Sequence, residues 1–153
     1  MKKKILIATD GSASAREAVE TGLELATEQD AEIMIVHVAP RLDVYPWSGV
    51  GVASAFPHEL TAADRAPLVE AEQLASEHGI DATTELLRGD PVDEIVAYAD
   101  SENVDLIVIG SRGHGALASA LLGSVSLGVM HETRRPVLVV RSAQHAAQPA
   151  VAG

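Results

Sequence analysis

Five short strand-like runs, at residues 3–9, 33–38, 82–87, 106–109 and 137–140, alternate with helix-length segments along this 153-residue chain. Most of the runs are apolar at nearly every position, the pattern of strands buried on both faces instead of one. Such strands need helices above and below them, and right-handed crossovers then wind the chain in two directions from a central strand. The expectation is one α/β domain over residues 1–142, a doubly wound five-stranded parallel sheet with helices on both faces. Residues 143–153, an Ala/Gln/Pro tail, are expected to be frayed. A fold of this kind opens a ligand crevice at the carboxyl ends of its strands, where the winding reverses.

The helical segments carry their own punctuation. Between residues 14 and 28, Ala15, Ala18, Val19, Gly22 and Ala26 share one face, and Ser14 with Glu17 forms a candidate capping box. Residues 40–57 hold Pro40, Pro46, Gly49, Gly51 and Pro57, so a long loop is expected there, a flap anchored by Tyr45, Trp47 and Phe56 in preference to a lid or partner surface beside the ligand. The next helix should stop at His78 before Gly79, with Pro67 either kinking it or marking its start. Gly89-Asp90-Pro91 opens another, whose buried stripe is Val92, Ile95, Val96 and Ala99. The last helix should end on Arg134-Arg135, cations suited to its negative end, ahead of Pro136.

Composition removes several function classes. The chain has no cysteine, which excludes disulfides, thiol catalysis and cysteine-based zinc sites. Its formal net charge of −11 argues against nucleic acid, whose phosphate backbone is met by clustered Lys and Arg. Lys2-Lys3-Lys4 before an apolar run imitates a secretory signal, but the run is too short and Asp10 interrupts it. No stretch reaches membrane-spanning length, and a cytoplasmic location is expected. The six histidines show no zinc spacing, and no structural metal is assigned. His37, inside an apolar run, reads as a satisfied core histidine. Glu70, Glu72 and Glu77 read as a solvated helix face, and no acid/base pair stands out.

The chemistry concentrates between residues 110 and 126, GSRGHGALASALLGSVS, directly after the fourth strand. Glycines at 110, 113, 115 and 123 leave the main chain open to a ligand. Ser124 and Ser126 follow at a helix start, where free N–H groups and the positive dipole end favour an anion. Strand, glycine loop and serine-opened helix together form a recipe for holding phosphate. The loop is not a Walker A motif, which needs Gly-Lys-Ser/Thr, nor the dinucleotide fingerprint, which follows the first strand. Asp10 with Gly11 ends the first strand as an ordinary turn or as a ligand contact, and both readings stand at this point.

These residues bear a resemblance to the ATP-binding subclass of the universal stress protein family. It spans nearly all of residues 3–141: KILIATDGS at the start, IVHV in the second strand, GDPVDEIVAYA opening the third helix, and DLIVIGSRG into the loop. The most specific part is the spacing of Gly110, Gly113, Gly123, Ser124 and Ser126, the family's nucleotide-binding signature. The resemblance implies a Rossmann-like sheet of order 3-2-1-4-5, with the crevice between strands 1 and 4. It implies that Asp10 lies near the ribose or a nucleotide-bound magnesium and that the main chain around Val38 lines the adenine pocket. The candidate set for ATP is therefore Thr9, Asp10, Val38, Gly110, Arg112, Gly113, Gly123, Ser124, Val125 and Ser126. The resemblance also implies a homodimer through the last strand, from Pro136 to Arg141, and a role as a nucleotide-dependent regulator in stress. Two other readings stand beside it. One is a slow ATPase or nucleotide-dependent transferase using Asp10, Arg112 or His114, and the other an interaction module whose nucleotide site stays empty.

Overall fold

A computed structural model describes residues 1–46, 51, 53–112 and 122–142. In strand β1 (Lys4–Ala8) successive side chains go to opposite faces, and all but Lys4 are buried. Ile5 and Ile7 enter one core with residues of helices α1 (Ala13–Gln29) and α2 (Ala62–Glu77). Leu6 and Ala8 enter a second core with residues of helices α3 (Pro91–Glu102) and α4 (Ser124–Glu132). Both faces of the sheet are thus sealed by helices, which is why apolar residues fill consecutive positions. At about 1.5–3 kcal/mol for each buried Ile, Leu or Val, these two layers dominate the stability.

The remaining strands are β2 (Glu32–Ala39), β3 (Leu42–Pro46), β4 (Ala53–Pro57), β5 (Thr83–Arg88), β6 (Leu106–Gly110) and β7 (Val137–Val140). The main sheet has the order β5-β2-β1-β6-β7, all parallel. Counted without the hairpin strands, that is the expected 3-2-1-4-5. β1 therefore sits in the centre, and the winding reverses between β1 and β6.

Three local expectations are corrected. Within the expected loop 40–57, β3 and β4 form an antiparallel hairpin of their own, with Leu42 opposite Pro57. Proline at each strand's last residue is compatible with an edge strand and hid the pairing. Ser14 does not cap α1; it is buried inside the helix, and Ser12 is the N-cap, accepting Ala15 N–H at 3.3 Å. Gly11, at φ +79°, makes the turn that delivers Ser12 to that position. Helix α4 stops at Glu132, short of Arg134-Arg135. Arg135 instead serves the end of α3, donating to Asp100 Oδ1 at 3.0 Å and to the Val104 carbonyl. The solvated face of α2 is as read: Glu72 and Glu77 are exposed, and Glu70 and Glu72 make surface contacts with Arg16 and Thr84.

Other expectations match. Asp90 caps α3 by accepting Asp93 N–H at 3.0 Å, and Pro91 occupies its first turn. α2 ends as read, with His78 at its C-cap and Gly79 at φ +70°. Pro67 lies within α2, five residues past its start. Trp47, Gly49 and the tail 143–153 lie outside the described residues.

A crevice at the ends of two central strands

Where β1 ends, the chain makes a turn secured by its own side chains. Thr9 N–H continues the ladder to the Val36 carbonyl at 2.9 Å, and Thr9 O accepts from His37 Nδ1 at 2.8 Å. His37 is thus a satisfied histidine that extends the β1–β2 seam past its last main-chain bond. Asp10 Oδ1 accepts Ser12 N–H at 2.9 Å, and Thr9 Oγ1 accepts Gly11 N–H at 3.2 Å. This Asx turn aims α1 away from the strand end and sets its first amides beside the crevice.

The end of β6 is tied to the same place. Ser12 Oγ donates to the Arg112 carbonyl at 3.2 Å, joining the two strand ends across the reversal point. Gly110 makes that approach sterically feasible. A Cβ there would lie 2.7 Å from the Ser14 carbonyl carbon and 2.8 Å from Ala15 N, both main-chain atoms that cannot step aside. Beyond its candidate ligand role, Gly110 therefore has a packing role against α1.

Helix α4 starts from the same seam. The Ser111 carbonyl accepts Gly123 N–H at 2.6 Å and Ser126 Oγ at 3.1 Å, and Ser111 N–H donates to Val140 O at 2.8 Å. Ser126 is buried, with its hydroxyl also 3.0 Å from the Gly123 carbonyl. Its side chain braces the helix start, leaving its amide as the group that can meet a ligand. Ser124 is exposed, whereas the Val125 side chain packs on the second core. The first α4 ladder bond is Leu127 N–H to Gly123 O, so the amides of residues 124–126 precede the ladder, and no Gly123 side chain covers them.

Val38 completes the outline. β2 continues three residues past Val36, the last partner of β1. Val36 turns its carbonyl toward Thr9, and main-chain direction alternates along a strand, so Val38 turns its amide and carbonyl to that same side. These two groups face the space beyond β1. Asp10, Val38, Gly110, Arg112, Gly123, Ser124, Val125 and Ser126 are thus gathered at the carboxyl ends of the central strands. Gly113 and His114 lie outside the described residues.

The electrostatics of the helix starts differ. α2 carries Asp64 in its first turn and α3 carries Asp93 and Glu94, whereas α1 and α4 carry no acidic residue there. In a chain of net charge −11, α4 leaves its positive end without an acidic partner, whereas the Asp10 carboxylate accepts from the N-cap amide of α1. That arrangement suits an anion. Among the described residues no group of three His, Asp or Glu side chains is placed to hold a metal ion, so a metal at Asp10 would need ligands from elsewhere, such as phosphate oxygens.

A residue that sequence reasoning missed is His58, just after the hairpin, whose ring lies between Asp43 and Asp64. Its partners come from β3 and α2, and the sequence gives no spacing signal for a cluster formed by tertiary contact.

The comparisons with known proteins agree with this fold. A model described as the Universal stress protein family matches residues 1–141. Universal stress protein MJ0531 of Methanocaldococcus jannaschii is 37% identical over 142 residues, covering 91% of this chain and 82% of its own. Universal stress protein YxiE of Bacillus subtilis is 36% identical over 148 residues, covering 92% of this chain and 100% of its own. Among solved structures, a universal stress protein in complex with cAMP superposes with a TM-score of 0.69 at 28% identity, covering 92% of this chain and 98% of that one.

Proposed function

The chain belongs to the universal stress protein family, and from that premise we propose that it binds an adenine nucleotide, ATP with magnesium, in the crevice between β1 and β6. The observation that carries the reading is the acid-free start of α4, with its free first amides, at the point where the sheet's winding reverses. The amides of Ser124, Val125 and Ser126 donate to phosphate oxygens, and the Val38 main chain reads the adenine edge. Each amide bond to a charged phosphate is worth about 1.5–3 kcal/mol. Three or four of them support about −8 kcal/mol, micromolar binding, after the cost of association. Magnesium offsets the triphosphate charge and lets the ligand sit beside Asp10. The cAMP-bound relative supports the adenine class.

Nucleotide occupancy then alters the protein's contacts with partners in the stress response, in the cytoplasm. No helix among the described residues is long and apolar enough to cross a membrane. A second copy pairs along β7, which lies at the edge of the sheet.

The test is calorimetric titration of nucleotide-stripped protein with ATP, AMP and cyclic AMP, each with and without magnesium. Gly123 has φ −75° and ψ 166°, a conformation open to valine, so Gly123→Val keeps the backbone while crowding the phosphate. Micromolar binding of ATP that this substitution abolishes is the expected result. Absence of heat with every nucleotide, in folded protein, overturns the proposal.

A further inference from the structure

The hairpin β3–β4 is a separate two-stranded sheet, exposed at most positions of both strands. Leu42, Val44, Tyr45 and Phe56 are each more than half exposed. A two-stranded ribbon of this kind has little stability of its own in water and depends on where it is fastened. Several of its polar fastenings meet at His58. The ring Nδ1 lies 2.7 Å from Asp43 Oδ1 on β3, and Nε2 lies 3.0 Å from both carboxylate oxygens of Asp64 on α2. His58 N–H donates to the Arg41 carbonyl at 2.8 Å, and Arg88 of β5 donates through Nη2 to the His58 carbonyl. Asp64 is itself fixed, because one of its oxygens accepts Thr61 N–H at 2.8 Å at the start of α2.

Both ring nitrogens face carboxylates, and only the imidazolium has an N–H on each. A neutral ring can donate to Asp43 or to Asp64; the other nitrogen then points a lone pair at a carboxylate oxygen. We propose that His58 is a protonation-controlled clasp that fastens the β3–β4 hairpin to the first turn of α2, and that the hairpin loosens from α2 when the imidazolium loses its proton. The groups that govern the titration come from each neighbouring element: Asp43 from β3, Asp64 from α2, and Arg88 from β5. Arg88 is engaged with the main chain of His58 and does not touch its ring nitrogens, so it does not supply the switch.

Hydrogen bonds that the His58 ring donates to Asp43 and then to Asp64 raise its pKa above the ordinary imidazole value, against a smaller opposing effect of desolvation. The Thr61 amide and the His58 ring hold Asp64 below its ordinary range. The sign follows from linkage. A raised histidine pKa contributes stability that is complete below the unfolded value and is lost as pH rises through the folded value. A lowered Asp64 contributes stability present above the unfolded carboxylate value and lost as pH falls through the folded one. The clasp therefore holds across the interval between the two and opens on the alkaline side.

The test is amide hydrogen exchange of the full chain from about pH 5 to about pH 9, corrected for intrinsic rates, alongside an NMR titration of the His58 ring. Protection of the β3 and β4 amides should fall by up to about tenfold per pH unit as pH rises from the ordinary histidine value to the raised His58 midpoint, and level off above it, while β1 and β6 stay protected. Asp43→Asn, which leaves the Asp64–Thr61 contact in place, should lower the midpoint. His58→Gln should remove the pH dependence and leave the hairpin loosely held. Hairpin protection that does not change through the His58 titration overturns the clasp, as does the same pH dependence in the glutamine variant.

Discussion

Gly110 illustrates how one atom can decide the site's geometry. Its missing Cβ is what allows the main chain of α1 at Ser14 and Ala15 to approach the end of β6. Gly110→Ala should therefore destabilise the fold by about 1–3 kcal/mol, the cost of overpacking, and weaken nucleotide binding by displacing α1. Urea unfolding of the variant, together with its calorimetric titration, checks both effects; an unchanged unfolding midpoint would mean that α1 yields without cost. The glycine was legible in the sequence as a position without a side chain, but the need for close helix packing was not. That need comes from residues about a hundred positions away. His58 was illegible for the same reason, since its two carboxylates join it only when β3 and α2 come together.

Among the elements, β1, β2, β6 and β7 could be read directly because packing on both faces leaves a nearly unbroken apolar record, whereas the edge strand β5 begins with Thr83, Thr84 and Glu85. The hairpin could not. Exposed strands impose no apolar alternation, and Pro46 and Pro57 look like breakers when they merely end strands. The start of α4 was placed correctly, and its function can be separated from its stability. An acidic residue in that first turn would complement the helix dipole and at the same time repel a bound phosphate. Ser124 is exposed and can accept one. Ser124→Asp should raise stability by about 0.3–1 kcal/mol and lower ATP affinity by about tenfold or more, since both effects arise from the same field. Thermal unfolding and nucleotide titration of the variant separate them, and a variant that binds ATP unchanged would move the phosphate away from α4.

At the scale of the whole molecule, β7 is the last strand of the main sheet on its side among the described residues. Pro136 and Val140 turn their carbonyls to β6, accepting from Ile107 N–H and Ser111 N–H, so Val137 and Val139 turn their main-chain groups outward. Val139→Pro removes one outward donor and spares the ladder to β6, so it should convert a dimer to a monomer while unfolding stays cooperative. Sedimentation measures this directly, and a dimer that survives the substitution must use another surface. The hairpin has a different consequence. Leu42 lies opposite Pro57, so the chain leaves the body and re-enters it at nearly one point between β2 and α2. Whatever hangs from that doorway can be lengthened, trimmed or exchanged without rerouting the strand before it or the helix after it. The scaffold thus carries a built-in grafting port, where lineages can diversify and where a reporter peptide can be spliced in while the central sheet stays as it is.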